Sequence, residues 1–215
     1  MKKQLIGLGI AALMFGGVVS AGASIIVDGS IYNIDGDNDG VADDLLISQI
    51  FFDVTAGTEL FIDSLVWEST GVDITGDGEI TGFDNYMRLF QGNTFLTSND
   101  DSGATFADGS VHRYDSAITY TFATAGTYMI TTGQLFYSTT EALLGYDPNR
   151  AFRDYTRQNQ DHGDWRLTFN VLAGEVSNVT GSDPVPEPAT MLLFGTGLVG
   201  LVGSRLLKKK QQVSA

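Results

Sequence analysis

The sequence predicts an all-β domain, a β-sandwich, with a hydrophobic helix at each end of the chain. Three observations carry this. Apolar and polar residues alternate with period two in several short runs of the middle section. Segments rich in Gly, Asn, Asp and Thr punctuate those runs as turns do between strands. All the lysines lie at the two ends of the chain, each group beside an apolar run.

At the N-terminus, Met1-Lys2-Lys3 is a basic start, Leu5 to Val19 an apolar stretch rich in Gly and Ala, and Ala21-Gly22-Ala23 a small-residue cleavage pattern. Together they predict a signal peptide over 1–23, with Ala21 and Ala23 specifying cleavage. A buried N-terminal helix is the alternative, and the confinement of lysine to the chain ends argues against it. Residues 24–182 are then one exported β-sandwich domain, long enough to bury a core of its own. Between 24 and 185 there are six arginines, no lysine and 25 acidic residues, a net charge of −19 against −14 for the whole chain. Such a field excludes nucleic acid as a partner and invites divalent cations. With no cysteine, the domain has neither disulfides nor a thiolate metal site, and bound calcium is a candidate staple.

Leu46 to Val54 and Leu60 to Trp67 read as paired strands around Thr55-Ala56-Gly57-Thr58. Tyr86 to Phe90 is a short strand before Gln91-Gly92-Asn93. Ile118 to Phe122 and Thr127 to Thr132 read as a hairpin through Ala125-Gly126. Trp165 to Val171 alternates most clearly, so Trp165, Leu167, Phe169 and Val171, with Ile118, Tyr120 and Phe122, are the predicted buried face. Residues 138–162 break the pattern. There Asp147-Pro148 predicts the start of a short helix placing Arg150, Arg153 and Arg157 on one face. Those arginines serve either as partners for the protein's own carboxylates or as a contact for an acidic polysaccharide.

Two loops gather acidic residues. Asp35-Gly36-Asp37-Asn38-Asp39-Gly40-Val41-Ala42-Asp43-Asp44 puts carboxylates at alternate positions with a glycine for a sharp turn, which suits a hard cation. Calcium held by Asp35, Asp37, Asp39 and Asp43 is the expectation, and a solvated turn the alternative. The loop resembles those of thrombospondin type 3 repeats. It is not an EF-hand, since the twelfth position is Leu46. The second, Asp73 to Asp84, resembles a dockerin-like loop with oxygens from Asp73, Thr75, Asp77 and Asp84. Dockerins carry two such repeats, so a strand after Asp84 is the preferred reading, with a metal at Asp73, Asp77 and Asp84 still open. Asn99-Asp100-Asp101 reads as a turn.

Thr81 to Phe90, Asn99 to Ser102, Asp115 to Tyr120 and Ala125 to Tyr128 together resemble the bacterial pre-peptidase C-terminal domain family, over about residues 60–172. The resemblance implies a jelly-roll-like β-sandwich and no single activity.

The tail begins with a linker, 183–190, that contains Val185-Pro186-Glu187-Pro188. The prolines keep it extended, so a helix can start only after Ala189. From Met191 to Gly203 thirteen residues carry no charge, fewer than the roughly 20 that span a bilayer. Arg205 and Lys208-Lys209-Lys210 place the C-terminal end of this 191–210 helix in the cytoplasm. An ordinary single-pass anchor is one reading. Box, apolar segment and basic end resemble a PEP-CTERM sorting signal, which implies membrane anchoring, cleavage by an exosortase-type membrane protease, and passage to the cell surface or extracellular matrix.

Little in the sequence supports catalysis. The two histidines, His112 and His162, stand far apart in the chain, and there is no nucleophile elbow, zinc-type His cluster or phosphate loop. A glycosidase needs only two carboxylates, which so acidic a chain leaves open. The expected function is a non-catalytic structural or adhesive role. The alternative is an exopolysaccharide-binding module using exposed aromatics among Trp67, Tyr146, Tyr155 and Trp165, although Trp165 should face inward.

Overall fold

The structure is a computed structural model that describes residues 18–68, 72–102 and 112–181. Residues 1–17 of the expected signal peptide and the 183–210 tail, with the helices expected there, fall outside these residues. In chain order the strands are β1 (Val19–Ser20), β2 (Ser24–Ile34), β3 (Asp44–Leu46), β4 (Ser48–Val54), β5 (Glu59–Leu65), β6 (Asn85–Gln91), β7 (Thr94–Asn99), β8 (Ala117–Thr121), β9 (Gly126–Gln134), β10 (Tyr146–Asp147), β11 (His162–Ala173) and β12 (Glu175–Gly181). One short helix, α1 (Thr139–Leu144), precedes β10.

These strands form two antiparallel sheets, ordered β1-β12-β4-β9-β6-β7 and β10-β3-β2-β11-β5-β8. Inward residues of both enter one apolar core. Phe52 of β4 meets Phe169 of β11 edge-on at 5.3 Å, and the buried Trp165 indole donates to Ser48 Oγ across the sheets at 3.1 Å. The expected face is there: Trp165, Leu167, Phe169, Val171, Ile118 and Phe122 are buried, and Tyr120 packs beside them. β11 is central because both neighbours match its alternation. Trp165, Leu167 and Phe169 stand opposite Gly29, Val27 and Ile25 of β2, while outward Arg166 makes a two-pronged ion pair with Asp28. β2, β7 and β12 were not among the strands expected from the sequence.

Two predicted hairpins prove to be arches that change sheets. β4 pairs with β9 and β12, whereas β5 pairs with β11 and β8; likewise β8 and β9 lie in different sheets. A period-two pattern records which residues face the core and is silent on which sheet the next strand joins. Here the two turns bond to each other: Gly57 N–H donates to Phe122 O at 2.7 Å and Phe122 N–H to Thr58 O at 2.8 Å. Phe122 then sits between the sheets, 5.8 Å from Phe52 and 4.6 Å from Tyr128. Hairpins do join β6 to β7 around Gly92-Asn93 and β2 to β3 around the 35–43 loop.

The predicted helix after Asp147-Pro148 is also corrected. The helix lies earlier, where Ser138 and Glu141 form a reciprocal capping box and Gly145 (φ +85°) ends it. Residues 148–161 run without helix, and Arg157 has φ +67°, which no right-handed helix allows. The arginines therefore share no helix face. Arg150 pairs with Asp147 at 2.7 Å and donates to the carbonyls of Leu135 and Phe136. Buried Arg88 donates to Tyr137 O and Thr139 Oγ1, so two guanidiniums hold the approach to α1.

Candidate functional site

The loop between Glu68 and Thr81 is built on carboxylates. Glu68 is fully buried and accepts the N–H groups of Ile74 at 2.6 Å and Thr81 at 2.7 Å, together with the Thr81 hydroxyl at 2.8 Å. It ties both ends of the loop to the sandwich. Burial raises its pKa above the ordinary value, and nearby Asp164 adds to the effect. Within the loop, Asp73 accepts from Gly76 N–H at 2.6 Å and Gly78 N–H at 3.0 Å. Both glycines have φ near +80°, a left-handed conformation that turns their N–H groups inward.

Asp77 Oδ1 accepts Glu79 N–H at 2.8 Å, while its Oδ2 faces His162 on β11. Around that imidazole stand Asp77 Oδ2 at 3.4 Å, Glu79 Oε2 at 3.8 Å, Asp161 Oδ1 at 3.1 Å and Asp164 Oδ2 at 3.6 Å. Asp164 is fully buried and is oriented by the Ser30 and Thr75 hydroxyls. Asp164 foremost, with Asp161 and Asp77, pushes His162 up to about 10 against the opposing cost of burial.

Of the residues expected to ligate calcium in the first loop, Asp35, Asp37 and Asp39 place carboxylate oxygens within 4.8 Å of one another. Asp43 stands outside that group. The fold is set there by Asp44, a buried carboxylate that accepts from Gly36, Asp37 and Asn149 N–H groups, which hold its pKa below the ordinary value. The second expected trio is not gathered. Asp73 spends both oxygens on its own loop. Asp84 lies at the start of the following strand near Asp100 and Asp101, and burial, then those two charges, push it up to about 6. Its buried Oδ1 has no hydrogen-bond partner.

The aromatic candidates divide. Trp165 is interior, and Tyr146 covers Gly36. Half-buried Trp67 stacks on His112 at 4.0 Å and meets Tyr114 at 5.6 Å, which in turn meets Tyr155 at 5.5 Å. Arg113 and Arg153 lie over Tyr114 and Tyr155 at 4.8 and 4.9 Å. Ring planes inclined by 57° and 72° make a corner rather than one flat platform.

Ala21 and Ala23 are exposed at the turn between β1 and β2, where Gly22 N–H donates to Val171 O at 2.8 Å and Val171 N–H to Ala23 O at 3.0 Å. Val185, Pro186, Glu187 and Pro188 lie outside the described residues. Residues 184–209 match the PEP-CTERM protein-sorting motif. No curated protein matches the chain. The motif spans nearly the whole of the predicted linker, helix and basic end. Among the described residues no helix is long and apolar enough to cross a membrane, and the apolar segment of the motif lies beyond them.

Sequence reasoning passed over Glu68, Glu79, His162 and Asp164. Asp161-His162-Gly163-Asp164 adjoins the clearest strand in the chain, a usable signal. Its partners at 77 and 79 are more than eighty residues away, and only strand pairing brings them together.

Proposed function

We propose that this is an exported, non-catalytic protein of structural or adhesive role, released from a signal peptide after Ala23 and processed by an exosortase-type membrane protease near Pro186-Glu187-Pro188. Cleavage frees the sandwich from its transient membrane anchor and passes it to the cell surface or extracellular matrix. The observation that carries the reading is the PEP-CTERM motif at 184–209 behind a β-sandwich. The use of the polar interior supports a scaffold: the buried carboxylates Glu68 and Asp44 are spent on loop backbone N–H groups. The pre-peptidase C-terminal resemblance and its jelly-roll-like wiring belong to the same proposal, as does calcium as a structural ion at Asp35, Asp37 and Asp39. Peptide mass spectrometry of surface material tests the processing. The expected N-terminus is Ser24, with no peptide spanning Val185 to Leu192; Met1 retained, or abundant spanning peptide, overturns it.

A second reading, binding of an acidic exopolysaccharide, is supported by the corner of Trp67, Tyr114 and Tyr155. In a domain so negative, two arginines flank these rings. A glycan array with the wild-type chain and with Trp67→Ala and Arg153→Ala variants tests it. Binding to acidic glycans that both substitutions abolish supports the reading, and equal signals from all three chains refute it.

A further inference from the structure

We propose that Asp77, Glu79 and His162 form a binding site for a divalent transition-metal ion of the zinc or manganese class, fastening the 73–81 loop to β11. One nitrogen or oxygen atom from each of the three residues lies within 4.8 Å of the other two. Two ligands about 2.1 Å from a tetrahedral ion stand about 3.4 Å apart. His162 Nε2 to Asp77 Oδ2 is 3.4 Å, so Nε2 is the ligating nitrogen, and Glu79 Oε2 stands 3.8 Å from Nδ1 across the ring. Small rotations of two half-exposed carboxylates suffice to close on an ion.

The ligand chemistry sets the class of ion. Calcium and magnesium take oxygen shells, whereas an imidazole nitrogen with carboxylates suits zinc and manganese(II). This separates the site from the all-oxygen group at Asp35, Asp37 and Asp39.

An independent observation points to a cation. Asp164 is a fully buried carboxylate, yet its two hydrogen bonds come from neutral hydroxyls of Ser30 and Thr75. Among the described residues the cationic group within ion-pair distance of it is His162, at 3.6 Å, and no arginine reaches it. Buried Glu68 lies close enough to repel it. A buried anion is ordinarily paired with a full positive charge, and here one imidazole serves Asp77, Glu79, Asp161 and Asp164 together. An ion at the Asp77-Glu79-His162 face supplies the missing charge. Asp161, 3.1 Å from the opposite ring nitrogen Nδ1, then acts as the outer carboxylate that orients the ligating histidine. The backbone bonds to Asp73 and Asp77 Oδ1 hold the loop so that Asp77 Oδ2 and Glu79 stay turned toward β11.

The test is calorimetric titration of the chelator-treated full-length chain with zinc chloride, manganese(II) chloride and calcium chloride in separate runs. The expected result is one zinc or manganese ion bound per chain at least tenfold more tightly than calcium at this site, with affinity falling at least tenfold in Glu79→Gln and in His162→Gln. Asp35→Asn leaves that affinity unchanged. Glu79 is half exposed, so Glu79→Gln tests the site even where His162→Gln disturbs folding. Zinc and manganese binding no tighter than calcium, or equal in wild type and Glu79→Gln, overturns the assignment.

Discussion

Gly29 and Trp165 stand opposite each other across β2 and β11, and the pair makes a stringent test of the core. A Cβ added at Gly29 would lie 2.3 Å from Trp165 Cζ2, 2.7 Å from Cε2 and 2.9 Å from Cη2. Carbon atoms in contact sit about 3.5–4.0 Å apart, so the indole must move by more than 1 Å. It has nowhere to go: it is 1% exposed and bonded to Ser48 on the other sheet. Gly29→Ala should therefore cost about 2–3 kcal/mol through overpacking. Trp165→Phe removes the atoms that the added methyl group would strike, but leaves a small cavity and takes the indole N–H from buried Ser48, for about 2–3 kcal/mol. Combining the two should cost little more than Trp165→Phe alone, a favourable coupling of about 2 kcal/mol. Urea unfolding of the full-length chain followed by circular dichroism measures all four corners of the cycle. Single costs that add within about 0.5 kcal/mol, or a neutral Gly29→Ala, would refute the packing argument.

Three further outcomes are expected. Asp84, raised to about 6 by burial and by Asp101 and Asp100, opposes folding when ionised, so its favourable contribution is complete below its unfolded value near 3.8 and is lost as pH rises through about 6. Asp84→Asn should gain about 1 kcal/mol at pH 7.5 and nothing at pH 4 in urea unfolding; a less stable variant at pH 7.5 would mean that the carboxylate has a cationic partner. With chelator present, His162 raised to about 10 gives stability that is complete below its unfolded value near 6.5 and lost as pH climbs to about 10, with a slope of up to about 1.4 kcal/mol per pH unit. The slope should disappear in His162→Gln, and an unchanged slope refutes the assignment. Calcium at ten times its dissociation constant should stabilise the chain by about 1.4 kcal/mol, a rise in melting temperature of about 3–6 °C. Magnesium at matched ionic strength or Asp37→Ala should abolish the shift, and equal shifts with both ions would mean charge screening alone.

Two kinds of information were legible in the sequence by itself. One is local. The alternation of Trp165 to Val171 named the inward face, because side chains on a strand point to opposite sides whatever the strand pairs with. The sorting tail was equally plain, since a Pro-Glu-Pro box, an apolar run and a basic end are read in one stretch of chain. The other is compositional: no cysteine, and six arginines against 25 acidic residues between 24 and 185.

Tertiary structure decided whatever depends on two distant segments. Thr55 to Thr58 and Ala125-Gly126, after the strand that ends at Phe122, look like hairpin turns in isolation. They become arches because their backbone groups bond to each other and Phe122 fills the space between the sheets. The helix starts at the Ser138–Glu141 capping box, whereas the sequence reading put its start at Asp147-Pro148. Asp84 left the expected metal trio because the chain enters β6 directly after it, whereas Asp77 met Glu79 and His162 because β11 brings residue 162 alongside the loop. Spacing along a chain reports neighbours within a turn or strand, and the charges that share a site here come from segments more than eighty residues apart.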